Sequence, residues 1–165
     1  MNQVCYIFLD IDGVLNDETY IGECYKRHNK PMHMNHVPFN PKSLNVLMEL
    51  CQSIEKNGYE VRIILSSTWR LHEIDVEIVK ARIAEYGLRL YDKTSYILGN
   101  RGKEIQEYLK DKENYKFIII DDDKFDIKNL YPDNFIHVNP LYGLSITDKN
   151  KALKIVSKKE GKEDE

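Results

Sequence analysis

The sequence predicts an α/β fold, a mostly parallel sheet with helices on both faces, and three observations carry that expectation. Short, continuously apolar runs alternate with stretches of helical period. The runs lack the strict in–out alternation of a half-solvated sheet, so they suit strands covered on both faces. Three of them end in polar clusters, as strands of an open α/β sheet do when chemistry lies beyond their carboxyl ends.

Taken in order, Val4 to Leu9 reads as the first buried strand, ending at Asp10-Ile11-Asp12. Residues 17–40 show no clear period and contain Gly22, Pro31 and Pro38, so they read as an irregular excursion. Asn40 caps a helix with Pro41 in its first turn. Leu44, Leu47, Met48, Cys51 and Ile54 mark its inner face, and Asn57-Gly58 ends it. Val61 to Leu65 is a second strand, closed by Ser66-Ser67-Thr68. A helix through Ile74, Ile78, Ala81 and Tyr86 stops at Gly87. Residues 88–98 have room for a short strand. Gly102 to Lys110 is helical, Lys116 to Ile120 is a strand ending in Asp121-Asp122-Asp123, and Phe135 to Val138 is another strand. A last helix spans Asp148 to Val156, and 157–165 reads as a disordered charged tail. One domain over 1–156 is expected, with 16–40 as a flap or minimal cap.

Composition narrows the function. A chain of 165 residues with 42% hydrophobic and 31% charged residues reads as a globular domain needing no staples. A net charge of −3 excludes a wholesale basic nucleic-acid binder. No apolar run approaches the roughly 18–20 residues of a membrane span, so no membrane partner is expected. MNQVCYIFLDIDG does not read as a signal peptide, because Asp10 and Asp12 break its apolar stretch. Cys5, Cys24 and Cys51 have no metal spacing and read as free thiols of a cytoplasmic protein.

The fold brings the three polar clusters together. Asp10, Asp12, Asp121 and Asp122 would then crowd one crevice, which is costly unless a cation intervenes or a proton is held. An all-oxygen donor set suits a hard cation such as Mg²⁺, typically shared with a substrate phosphate. Ser66, Ser67 and Thr68 supply hydroxyls and N–H groups for phosphate oxygens, aided by a helix amino end if the chain is helical from Leu71. Asp10 can attack phosphorus. Asp12, two residues on, can protonate the leaving oxygen and later deprotonate water, provided its acidic neighbours keep it partly protonated. Arg101 or Lys103, at the start of the helix before the third long strand, supplies the balancing cation. Arg70 reaches either a second phosphate or a nearby acid.

These residues carry a resemblance. Phe8-Leu9-Asp10-Ile11-Asp12-Gly13-Val14-Leu15-Asn16 resembles motif I of the haloacid dehalogenase (HAD) superfamily of phosphohydrolases. Ile64-Leu65-Ser66 resembles motif II, Arg101 or Lys103 stands where motif III has its cation, and 118–126 resembles the acidic motif IV. Ser-Ser-Thr-Trp-Arg, Arg-Gly-x-Glu-Ile and Gly-Leu-Ser are similar to the HAD domain associated with "Swiss Army knife" RNA-repair proteins, a likeness that favours Arg101 over Lys103. The resemblance implies a Rossmann-like HAD fold and a Mg²⁺-dependent phosphomonoesterase working through an aspartyl-phosphate. It makes Asp10 the nucleophile and Asp12 the acid/base. The metal is then held by Asp10, the Asp12 carbonyl and Asp122, with Asp121 and Asp126 supporting.

The 16–40 segment is too short for a full cap domain, so an open site is expected. The implied substrate is a phosphorylated small molecule or a nucleic-acid end, with no obligate protein partner. Lys26, Arg27 and Lys30 with Tyr20, Tyr25 and Phe39 nearby would suit a nucleic-acid backbone. A phosphotransferase or a non-catalytic phosphate-binding module are the alternatives. A signalling receiver is disfavoured, because the middle strand ends in Ser66 rather than Asp.

Overall fold

The apolar runs do pair as parallel strands. The computed structural model describes residues 3–158, so the tail expected beyond 157 lies almost wholly outside the described residues. Five strands form one sheet in the order β3-β2-β1-β4-β5, every pair parallel. They are β1 (Gln3–Leu9), β2 (Tyr59–Leu65), β3 (Leu90–Lys93), β4 (Tyr115–Asp121) and β5 (Phe135–His137).

Period two then sorts the side chains into two cores. Cys5, Ile7 and Leu9 of β1, Ile63 and Leu65 of β2, and Ile118 and Ile120 of β4 face the larger one. There they meet α2 (Pro41–Lys56), α3 (Glu73–Ala84) and α6 (Ile146–Ser157). Tyr6, Phe8, Ile64 and Ile119 face the smaller one, with α4 (Arg101–Leu109) and α5 (Ile127–Leu130). Both faces are covered, which is why the strands lack alternation. The chain winds outward from β1 to β3 along one face, then crosses back to β4 on the other side of β1. The strand order therefore reverses between β1 and β4, where open α/β sheets place their crevice.

Helix ends follow their caps. Asn40 accepts from the Lys42 N–H at 3.0 Å, with Pro41 in the first turn of α2. Ser145 and Asp148 form a reciprocal capping box on α6. The expectation of an irregular 17–40 segment is corrected: Glu18–His28 is a helix, α1, capped by Asp17, whose carboxylate accepts from Tyr20 N–H at 2.9 Å. Tyr20, Ile21, Cys24 and Tyr25 recur at helical spacing along α1, but only Cys24 is buried and the stripe spans barely two turns. Asp17 also accepts from Asn40 Nδ2 at 2.7 Å, and Asn40 N–H donates to the Leu15 carbonyl at 2.6 Å. The two ends of the insertion are thus tied together. Among the described residues no helix is long and apolar enough to cross a membrane.

All three cysteines are buried and free. Burial pushes the Cys5 and Cys51 thiols up to about 12. Ellman's reagent at pH 8 should therefore leave the native protein unlabelled over minutes and titrate all three thiols once guanidinium unfolds it. Fast labelling of a native thiol would contradict this packing.

Candidate active site

Parallel register brings the strand ends level. Leu9 pairs with Leu65 on one side and with Ile120 on the other, so Asp10, Ser66 and Asp121 emerge side by side. Asp10 N–H donates to the Ile120 carbonyl at 3.0 Å, and Ser66 N–H to the Leu9 carbonyl at 2.9 Å. These bonds carry the ladder one residue past each strand and hold the loops that follow.

Asp10, Asp121 and Asp122 each offer a carboxylate oxygen within 4.8 Å of the others. Burial, with the Asp121 charge next, drives Asp10 well above the usual carboxylate range, against the pull of Arg101. Burial likewise raises Asp121 to about 7, with Arg101 and the Asp123 N–H opposing. The acidic crowding expected around Asp12 falls on Asp10 instead. The Asp12 carboxylate accepts from Asn16 Nδ2 at 2.9 Å and from the Trp69 indole N–H at 3.1 Å. Gly13 lets this turn close: its φ is +76°, and a Cβ there would stand 2.3 Å from Asp122 Oδ2.

One of the two candidate cations enters the crevice. Arg101 is buried, and its Nη1 donates to the Ser66 carbonyl and to Asp121 Oδ2 at 2.8 Å, and lies 3.5 Å from Asp10 Oδ1. Lys103 is exposed and contributes only its backbone N–H, to Asp126. Residues two apart on a helix point away from each other, so a single helix end cannot aim both inward. Asn100 gives α4 no side-chain cap. Asp126 supplies it from across the loop, accepting from Gly102 N–H at 2.5 Å and Lys103 N–H at 3.1 Å. Gly102 permits that approach, since a Cβ would meet Asp126 at 3.0 Å.

The hydroxyls divide. Ser67 Oγ accepts from Trp69 N–H at 3.3 Å and caps a 3₁₀ turn, Thr68–Leu71. That turn corrects the expected helix from Leu71: α3 starts at Glu73, so no long helix begins directly after the cluster. Ser66 Oγ is buried beside Asp10 with no hydrogen-bond partner in the protein. A buried hydroxyl without a partner is expensive, and an anion at the strand ends would satisfy it. Arg70 takes the acid rather than the phosphate of its two expected fates. Its Nη1 donates to the Ser67 carbonyl and its Nη2 to Glu104 Oε2, both at 2.6 Å.

Sequence reasoning passed over Asn16, Trp69 and Glu104 as partners. Trp69 and Glu104 lie 57 and 34 positions from the groups they bond, beyond any local signal. Glu104 is buried, with Arg70 at 2.6 Å, Arg101 Nε at 3.7 Å and the Ile97 N–H at 2.9 Å. Glu104→Ala should destabilise the protein by about 3–5 kcal/mol, because it leaves two buried guanidiniums short of a partner. Glu104→Gln should cost less, and urea unfolding midpoints measure both.

A family model described as the HAD domain in Swiss Army Knife RNA repair proteins matches residues 6–148. No curated protein matches the chain. The matched stretch holds every carboxylate and guanidinium of the crevice, and by it the chain belongs to this HAD domain family.

Proposed function

We propose that this HAD-type hydrolase domain is a Mg²⁺-dependent phosphomonoesterase that works through an aspartyl-phosphate on Asp10. The observation that carries the reading is the buried cluster of Asp10, Asp121 and Asp122 at the reversal of strand order, next to a partnerless Ser66 hydroxyl.

The donor set fits a hard divalent cation. Asp10, Asp121 and Asp122 converge within 4.8 Å of one another, and Arg101 reaches Asp10 and Asp121, so a dication among them would offset the burial and crowding that raise Asp10 and Asp121. Asp121 already accepts from Arg101 and from Asp123 N–H, so its role is support. Asp10 and Asp122 would hold the ion, together with the Asp12 carbonyl that the family resemblance implies. When bound, Mg²⁺ neutralises charge between the attacking carboxylate and the phosphate.

Asp10 attacks phosphorus through a carboxylate oxygen, and the P–O bond to the leaving group breaks. Asp12, which must enter this step protonated, gives its proton to the departing oxygen. Water then transfers a proton to Asp12 and attacks phosphorus, the acyl-phosphate bond breaks, and inorganic phosphate leaves with Asp10 restored. Arg101 and the Ser66 hydroxyl hold the equatorial oxygens as charge builds. Asn16 and Trp69 aim Asp12 at the leaving oxygen.

Phosphate release from p-nitrophenyl phosphate should require Mg²⁺ and stop in EDTA. Asp10→Asn should lose about a thousand-fold or more in kcat, about 4 kcal/mol of barrier, and Asp12→Asn about 10²–10⁴-fold. Turnover unaffected by Asp10→Asn would remove Asp10 as nucleophile. Phosphate binding without any turnover would make the domain a binding module, and transfer to an added alcohol would make it a phosphotransferase.

A further inference from the structure

We propose a leaving-group subsite that takes one uncharged, hydroxylated ring, so that the substrate is a sugar phosphate or a mononucleotide rather than a nucleic-acid end. This rests on the phosphatase reading and deepens it.

The subsite is a groove of about 230 Å³ that opens beside Asp12, the group that protonates the leaving oxygen. Trp69 and Leu71 line it, and Trp69 bonds Asp12 through the indole N–H. His33 and Asn35, from the insertion, form one wall. Thr68, His72 and Asp75, from the turn after β2 and the start of α3, form the other. Asp12 both lines this groove and protonates the leaving oxygen in the proposed reaction, which places the departing group there.

The groove is built before any ligand enters. Arg82 of α3 donates to the carbonyls of Asn35 at 2.5 Å and Val37 at 2.8 Å. The same guanidinium lies 4.7 Å from the Phe39 ring centroid, and Phe39 packs edge-on against Trp69 at 5.7 Å. With the Asp17–Asn40 tie at its base, the insertion wall is held at both ends.

Size and charge then choose the occupant. At about 230 Å³ the groove falls below the roughly 300–1,000 Å³ of pockets for drug-sized ligands, which suits a small occupant. Its lining offers hydroxyl, amide, imidazole and carboxylate groups that exchange hydrogen bonds with sugar hydroxyls, beside the apolar surfaces of Trp69 and Leu71 that suit a ring face. No Lys or Arg lines it, and Asp12 and Asp75 do. A flanking phosphodiester would meet two carboxylates with no compensating cation.

The test is kcat/KM with Mg²⁺ for p-nitrophenyl phosphate, hexose and pentose monophosphates, nucleoside 3′- and 5′-monophosphates, and oligonucleotides with the same terminal phosphates. The expected result is a ring monophosphate at least tenfold above both p-nitrophenyl phosphate and the oligonucleotides. The sugar and nucleoside arms then distinguish the two sources of the ring. His72→Ala should lower the ratio of the best ring substrate to p-nitrophenyl phosphate about tenfold, mainly through KM. Asp75→Lys should instead shift preference several-fold toward substrates with a second phosphate, a gain that misfolding cannot mimic. An oligonucleotide as best substrate, or ratios unmoved by both variants, would overturn the subsite while leaving the phosphatase reading intact. Release from none of these would overturn both.

Discussion

The structure depends on balancing carboxylates that parallel strands force together. Register sets Asp10 and Asp121 beside each other at the ends of β1 and β4, and Asp122 follows directly. Arg101 answers them from α4, reaching Asp121, Asp10 and the Ser66 carbonyl at once. A buried guanidinium with several acceptors is stable only while all of them stay in place. Arg101 thus ties together the ends of β1, β2 and β4, although it belongs to none of them.

A second tier of charge holds Arg101. Glu104, one turn on, stands between Arg101 and Arg70, and Arg70 in turn bonds the Ser67 carbonyl. The loop after β2 is therefore fixed from beneath by the same network that faces the crevice. Asp126 closes it from the other side by capping α4. The end of β2 is thus held by a charge from α4, and the amino end of α4 by one from the loop after β4. This suits a site that must keep an unsatisfied hydroxyl and crowded carboxylates in place before a ligand arrives.

How much of this was legible in the sequence follows from what is local. The strands were, because covering both faces leaves unbroken apolar runs such as Cys5 to Leu9 and Ile63 to Leu65. The gathering of Asp10, Ser66, Asp121 and Asp122 was also legible, since strand ends of one parallel sheet must meet. Helix α1 was missed although Tyr20, Ile21, Cys24 and Tyr25 fall at helical spacing after the Asp17 cap, because that stripe is short and only Cys24 of it is buried. The engagement of Arg70 and the bonds to Asp12 were not either: a side chain's partner across the fold leaves no trace in spacing. The motif likeness already favoured Arg101 over Lys103, and the structure places the Arg101 guanidinium in the crevice.

Trp69 shows what such distant partners add. Its position just after the polar cluster of β2 reads as core, and the ring is indeed buried against Phe39. Yet its N–H reaches Asp12. The indole thus joins three parts that arise separately in the chain: the turn after β1, the turn after β2 and the far end of the insertion. A shift of Phe39 or Arg82 would be felt at the Asp12 carboxylate through one rigid ring. The insertion is too small to enclose the site as a cap domain would. In the proposed reaction its influence would run instead through the orientation of Asp12, by way of Phe39 and Trp69, with Arg82 and the Asp17–Asn40 pair holding the insertion in place.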